Sequence, residues 1–213
     1  MDPKDSASSK VKPQLILGSS SPRRRDLLDA VGLSYIVCKP ETPEVPMPGE
    51  QPDAYARRNA EEKAAWVVEH FLRKAEYAHG FIVISADTIV VLDGAILEKP
   101  TSSEHAAEML TRLSGRAHTV ISAVTLQSAA MPHASHLSFA VHTKVWIKTL
   151  KPAEIGAYIR SGEPLDKAGG YAAQGIGSYM VERIEGSYAN VVGLPIADVV
   201  AALDRSFGFT IWE

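Results

Sequence analysis

Residues 15–31 read LILGSSSPRRRDLLDAV. The order predicts a short buried strand at Leu15-Ile16-Leu17, a turn of small residues at Gly18-Ser19-Ser20-Ser21, and a helix opening at Pro22. Ser21 suits the N-cap and Pro22 the first helical position, because both deal with backbone N–H groups that lack a partner there. Leu27, Leu28 and Val31 then recur at helical spacing and mark the face turned to a core. The unusual feature is the placement of Arg23, Arg24 and Arg25 in the first turn. Cations at the positive end of a helix oppose its macrodipole. A polyanion lying there removes the conflict, since free N–H groups, serine hydroxyls and guanidinium forks all offer it donors. A solvated basic turn is the alternative, and a glycine- and serine-rich loop alone does not decide between them.

The whole chain restricts what such an anion can be. Its 213 residues fit one large domain or a two-lobed one, and 46% hydrophobic with 22% charged residues is the make-up of a folded soluble protein. A net charge of −3 speaks against general affinity for nucleic acid, so any polyanion must be gripped locally. The single cysteine, Cys38, excludes an internal disulfide and fits a reducing compartment, the cytoplasm. Nothing beside it in sequence recommends it as a nucleophile. Residues 1–13 are polar and lack an apolar signal core, and read as a disordered tail ahead of one folded domain at 14–213. The longest apolar run, Phe81 to Leu92, is too short to span a bilayer and is interrupted by Asp87, so no membrane partner is expected.

Beyond the first helix, Ser34–Val37 reads as a strand, followed by KPETPEVPMPGEQP at 39–52. Pro40, Pro43, Pro46 and Pro48 make this an extended loop, and a carboxylate on so stiff a loop (Glu41, Glu44 or Glu50) can serve a metal. A helix is expected from Pro52 to about Tyr77, with Ala60, Ala64, Val67, Phe71 and Ala75 as its apolar stripe. Lys63 borders that stripe, where it either snorkels to water or reaches into a cleft. Phe81–Ile84 is apolar throughout, as in a strand covered on both faces, and Asp93-Gly94 predicts a hairpin pairing Ile89–Leu92 with Ala95–Glu98. Between the two strand pieces lies Ser85-Ala86-Asp87-Thr88. A carboxylate in so apolar a setting is costly to bury unless it is paired, hydrogen-bonded or metal-bound, which singles out Asp87. Capping a local turn is its structural alternative.

Thr101-x-x-Glu104 spells a capping box for a helix through Leu110 and Leu113, ended by Gly115. Strands are expected at His118–Leu126 and Phe139–Leu150, the second with Val141, Thr143, Val145 and Ile147 on its buried face. His133 and His136, in the loop between them, lack acidic or cysteine partners and read as surface residues. After a short helix from Pro152 to Ser161 comes GEPLDKAGGYAAQGIG at 162–177, five glycines interleaved with Asp166, Lys167 and Gln174. Such glycines suit backbone lying against a ligand, and the intervening Tyr171, Ile176 and alanines argue for order. A strand pair, Tyr179–Ile184 and Tyr188–Val192, and a last helix from Pro195 burying Ile196, Val199, Val200 and Leu203 complete the expectation.

Set side by side, the arginines at 23–25 with Lys63, Lys99 and Lys167 face few carboxylates, Asp87 and those around Glu44. Many fixed cations and few carboxylates is what holding a triphosphate with a divalent ion requires, since positioning and charge neutralisation supply most of phosphoryl-transfer catalysis. An Asp beside bound metal either ligates it or takes a proton from water. There is no GxxxxGK[ST] loop, no Cys/His zinc spacing, and no histidine partner for Ser19-Ser20-Ser21, which leaves P-loop, zinc and serine-nucleophile chemistry unsupported.

Ser19-x-Ser21-Pro22-Arg23-Arg24, Glu62-Lys63-Ala64, Ala86-Asp87-Thr88, Glu98-Lys99-Pro100, Gly162-Glu163-Pro164 with Asp166-Lys167-Ala168-Gly169 and Gln174-Gly175, and Val192-Gly193-Leu194-Pro195 together resemble the Maf family of nucleoside triphosphate pyrophosphatases, in family order. The resemblance implies hydrolysis of a nucleoside triphosphate to the monophosphate and pyrophosphate with Mg²⁺ or Mn²⁺. It also implies a two-lobed α/β fold around a long mixed sheet flanked by helices, similar to the inosine-triphosphate pyrophosphatases, with the site in the cleft, and often a homodimer. By position, Asp87 would be the base or metal-directing carboxylate, and Glu44 would help bind the metal. Ser19, Arg24, Lys63 and Lys99 would hold phosphates, while Arg23, Thr88 and Gln174 would discriminate the nucleotide; Asp166 and Lys167 match the glycine-rich motif. The family usually carries an acidic pair in the loop after the first helix, and here Pro43 replaces its first member. Ala86-Asp87-Thr88 with Ala168-Gly169-Gly170-Tyr171 and Gln174 is similar to the dTTP/UTP branch, and a Gln side chain matches the donor–acceptor edge of uracil or thymine. A 7-methyl-GTP pyrophosphatase and a nucleotide-binding division regulator without significant turnover are the alternatives.

Overall fold

A computed structural model of the chain describes residues 12–77, 80–129 and 135–212. The expected tail up to residue 11, and His133, lie outside them. The strands are β1 (Gln14–Gly18), β2 (Tyr35–Cys38), β3 (Phe81–Leu92), β4 (Ala95–Leu97), β5 (Ala117–Ala129), β6 (His136–Ile147) and β7 (Val181–Glu185). The helices are α1 (Pro22–Ala30), α2 (Pro52–Leu72), α3 (Ser103–Leu113), α4 (Pro152–Arg160), α5 (Tyr188–Val192) and α6 (Ile196–Phe207). The strands form one seven-stranded mixed sheet in the order β2-β1-β3-β5-β6-β7, with β4 on the free stretch of β3. β1 is parallel to both neighbours, and every later pairing is antiparallel.

Alternation along the strands divides the core by face. Leu15, Leu17, Ile82 and Ile84 pack with Leu28 of α1 and with Val199 and Leu203 of α6. Ile16, Val83 and Phe81 turn to Ala64, Val67 and Phe71 of α2 on the other face. Further along the same long strands, Val90, Leu92, Val120, Val145 and Ile147 join Leu110 and Leu113 of α3 and Ile155 and Tyr158 of α4. Asp87 and Thr88 therefore sit on β3 where the two halves of the core meet.

That position corrects the expectation of a break at 85–88: β3 runs unbroken, and Asp87 pairs in register with Ala123 of β5. Strand propensities span only about 1 kcal/mol, whereas each fully buried Ile, Val or Phe contributes about 1.5–3 kcal/mol. Phe81, Ile82, Val83 and Ile84, all fully buried, thus carry the polar residues after them into the ladder. Tyr188–Val192 is a second correction, a short helix and not a strand. Ser187 caps it by accepting from Asn190 N, and buried Asn190 spends its side-chain amide on Val120 O and Thr143 Oγ1. α2 stops at Leu72 with a 3₁₀ turn at Ala75–Tyr77, and the cap of α3 is Ser102, one residue past the expected Thr101. No helix of the described residues is long and apolar enough to cross a membrane.

Gly18, where β1 enters the turn, is fixed by close approach. A Cβ there would stand 2.2 Å from Ser85 Oγ and 3.2 Å from Val67 Cγ2. Ser85 Oγ is itself buried without a hydrogen-bond partner among the described residues. Gly18→Ala is expected to cost about 2 kcal/mol as overpacking. Ser85→Ala alone is expected to be neutral or stabilising, because it removes an unpaired buried hydroxyl. The double substitution should recover most of the loss in urea unfolding; additive costs would show that the strain lies elsewhere.

Candidate active site

α1 opens at Pro22 with Ser21 at the N-cap, as the sequence predicts, but the Ser21 hydroxyl caps nothing. Its backbone N–H donates to Ser19 Oγ at 3.2 Å, which turns Ser19 inward. Arg24 Nη1 donates to the same hydroxyl at 2.9 Å, Nε to Gly193 O at 2.8 Å, and Nη2 to Thr88 Oγ1 at 3.2 Å. One guanidinium thus ties together the turn after β1, the middle of β3 and the α5–α6 connection. Thr88 Oγ1 lies 2.8 Å from Ser122 Oγ, which donates to Asn190 O. Burial pulls the Arg24 pKa down against the opposing attraction of Asp87 and Glu44, but a guanidinium starts so high that the charge stays. Arg23 reaches Asp166 at 3.5 Å, and Arg25 is exposed.

α2 supplies the second wall. The proline-rich loop is extended as expected and is clamped to this helix by Arg58, whose Nε and Nη2 hold the two Glu50 oxygens at 2.7 and 2.8 Å while Nη2 also donates to Val45 O. That fork brings the Glu50 carboxyl down to about 2. The Tyr55 hydroxyl lies 2.7 Å from Glu98 Oε1 and 3.1 Å from Glu44 O. So anchored, the loop delivers Glu44 Oε1 to Lys63 Nζ at 2.9 Å. Lys63 does not snorkel out: it is buried and also meets Asp87 Oδ1 at 2.7 Å. Asn59 Nδ2 donates to the other Asp87 oxygen at 3.0 Å. The Lys63 and Asp87 side chains are only 7% and 8% exposed, and breaking such a buried pair from one side is costly.

The glycine-rich stretch folds into 3₁₀ turns at Glu163–Asp166, Ala168–Gly170 and Gly175–Met180. It is packed, not slack: a Cβ on Gly177 would meet Ala172 O at 2.6 Å, and Gly177 N donates to Glu163 Oε2. Lys167 Nζ donates to Glu163 O and pairs with Asp166. Burial raises the Asp166 pKa, but Lys167 and Arg23 outweigh it and the net shift is downward. The Lys99 and Gln174 side chains make no hydrogen bond or ion pair within the described residues, and stay available to a ligand.

All eleven residues singled out from sequence, Ser19, Arg23, Arg24, Glu44, Lys63, Asp87, Thr88, Lys99, Asp166, Lys167 and Gln174, line one cavity of about 420 Å³. Its volume falls in the range of small-molecule sites. Six Arg and Lys, Lys39 included, line it against three carboxylates, although the chain as a whole carries a net charge of −3. Val90, Val120, Val191, Val192 and Tyr171 add an apolar portion. The arrangement can neutralise a polyanion, cover a flat apolar ring, and present one buried carboxylate to both. Among the described residues no cluster of three or more His, Cys, Asp or Glu forms a self-sufficient metal cage. Two carboxylates converging on one cation position do fit Mg²⁺ or Mn²⁺, which bind through one or two carboxylates plus substrate phosphates.

Tyr55 and Asn59 escaped the sequence reading. With Lys63 they stand at i, i+4 and i+8, one face of α2. A polar residue repeating at that interval beside Ala56, Ala60 and Ala64 is the signal that marks them.

Comparison with known proteins gives the chain its relatives. The model of the Maf-like protein family matches residues 14–206. The dTTP/UTP pyrophosphatase of Syntrophomonas wolfei is 47% identical over 89% of this chain and 95% of its own. That of Geobacter sulfurreducens is 44% identical over 91% and 97%, and that of Anaeromyxobacter dehalogenans 44% over 95% and 99%. Among solved structures, the Staphylococcus aureus Ham1 protein aligns with a TM-score of 0.46 and 14% identity over 79% of each chain. With the family model matched from residue 14 to residue 206 and relatives of 44–47% identity spanning 89–95% of its length, the chain belongs to the Maf-like protein family.

Proposed function

We propose that this chain hydrolyses dTTP and UTP, and modified pyrimidine nucleoside triphosphates, to the monophosphate and pyrophosphate, with residues 14–213 acting as one unit in the cytoplasm. The observation that carries this is the net-cationic cavity built around buried Asp87 in a chain of net negative charge. Relatives named dTTP/UTP pyrophosphatase at 44–47% identity support the pyrimidine assignment. A bound Mg²⁺ or Mn²⁺, held by Asp87 and Glu44, would neutralise charge developing on the phosphate oxygens.

In the reaction, water adds its oxygen to phosphorus, the α–β phosphoanhydride bond breaks, and pyrophosphate leaves. The proton lost by the water passes to the Asp87 carboxylate, kept aligned by Asn59. Lys63, Lys99, Ser19 and Arg24 hold phosphate oxygens; Arg24 contributes mostly charge, since three of its N–H groups are spent on Ser19, Thr88 and Gly193. Gln174, whose side chain has no partner among the described residues, reads the N3–H and O4 edge of the pyrimidine, with Arg23 and Thr88 narrowing the choice. Asp166 pairs with Arg23 and Lys167 and ties the nucleotide-reading side to the glycine-rich wall.

Pyrophosphate release from dTTP, UTP, CTP, GTP, ATP and 7-methyl-GTP with Mg²⁺ tests the assignment. Turnover concentrated on dTTP and UTP is expected, whereas a preference for 7-methyl-GTP would overturn the roles given to Thr88 and Gln174.

A further inference from the structure

The Lys63 ammonium stands where a metal ion would have to go. Glu44 Oε1 and Asp87 Oδ1 both close on its nitrogen, at 2.9 and 2.7 Å, and they are the carboxylates that the metal-dependent reading above needs. We propose that Lys63 is a built-in counter-ion that a divalent metal must displace, so that the protein without nucleotide holds metal weakly, and metal and triphosphate reinforce one another's binding. The inference rests on the metal-dependent reading and adds to it an exchange of partners by a residue of this chain.

Three features support the exchange. A divalent ion and an ammonium cannot both close on Asp87 Oδ1 and Glu44 Oε1 without like-charge repulsion, which is least screened at the buried Asp87. The lysine has a destination: its four-carbon stem is flexible, and it lines the same cavity as Arg24 and Lys99, where triphosphate oxygens would be held. The carboxylate left behind does not lose its alignment, because Asn59 holds Asp87 Oδ2 independently of Lys63. Lys63 can therefore leave Asp87 Oδ1 for phosphate only when phosphate is present, and that departure opens the cation position. Linkage makes the effect reciprocal, each ligand tightening the other by the same factor.

The test is Mn²⁺ binding to the full chain without nucleotide, followed by electron paramagnetic resonance of free Mn²⁺. Lys63→Gln is expected to bind Mn²⁺ roughly tenfold more tightly than wild type, and adding Glu44→Gln to it should return binding to the weak level. Lys99→Gln removes an equal charge from the same cavity without touching either carboxylate, and should change affinity by no more than about twofold. Equal tightening by Lys99→Gln, or none by Lys63→Gln, overturns the counter-ion role. If Lys63→Gln does not fold, wild type still decides: its Mn²⁺ affinity must rise with α,β-methylene-UTP bound, after allowing for metal held by free analogue, and an unchanged affinity overturns the inference. Mn²⁺ that binds neither protein, with or without the analogue, removes the metal-dependent reading itself. Mn²⁺ that binds wild type and Lys63→Gln alike removes only the exchange.

Discussion

Asp87→Asn is expected to lower kcat for pyrophosphate release from UTP by about 10³-fold while leaving a folded protein that still binds nucleotide. The substitution is isosteric: the amide oxygen can take the place of Asp87 Oδ1 and accept from Lys63, while the NH2 donates to Asn59 Oδ1 once the Asn59 amide turns over. Lys63 is not orphaned, because Glu44 still faces it at 2.9 Å. The stability loss should therefore be about 2 kcal/mol, below the penalty for leaving a buried charge unpaired. Catalysis suffers more, because an amide does not take a proton from water and brings no negative charge to a divalent cation. The readouts are initial rates of pyrophosphate release and calorimetric affinity for α,β-methylene-UTP, measured on wild type and variant together. A variant within tenfold of wild type would displace Asp87 from the chemistry, and a variant that neither turns over nor binds would make its role architectural.

What the sequence disclosed about this site, and what it did not, follows from the range of the interactions. Strand and α1 were legible at 15–31 because an unbroken apolar run and a proline at the first helical position act locally, although the Ser21 hydroxyl makes no cap and Gly18 answers to the distant Ser85 and Val67. Asp87 was legible because a charge in an apolar run has no inexpensive local explanation, and the partners it demanded are present in Lys63 and Asn59. The inward turn of Arg24 was not legible: its acceptors are Ser19, Thr88 and Gly193, the last 169 positions away, and only the β1–β3 pairing and the α5–α6 connection bring them together. Tyr188–Val192 misled because its Tyr and Val content favours strands, whereas the deciding factors were the Ser187 cap and buried bonds from Asn190 to β5 and β6. Pro43, which stands where the family usually has an acid, is exposed, and it is Glu44 of this loop that reaches Lys63, beside Asp87.

Acidification from pH 6.5 to about 4 is expected to remove about 3 kcal/mol of stability through one residue that the reaction does not use, His118 on β5. The residue is 4% exposed, with Nε2 2.6 Å from the Tyr171 hydroxyl and Nδ1 buried without a partner among the described residues. Burial drives its pKa from 6.5 down to about 4. Between those values the unfolded chain takes up a proton that the folded protein refuses, so stability is full above pH 6.5, falls as the pH drops, and levels off for this group below about 4. Paired carboxylates such as Glu50, lowered from 4.5 to about 2, lose their contribution mainly below that window. His118→Gln keeps a hydrogen-bonding group near Tyr171 and removes the titration. Urea unfolding of the two proteins across this range should show wild type losing stability with falling pH more steeply than the variant, and parallel curves would sink the assignment. Tyr171 also lines the cavity, between Lys167 and Gln174 in the chain. A charge on His118 would reach that cavity wall through Tyr171, so wild type and His118→Gln should also diverge in nucleotide affinity as the pH approaches about 4.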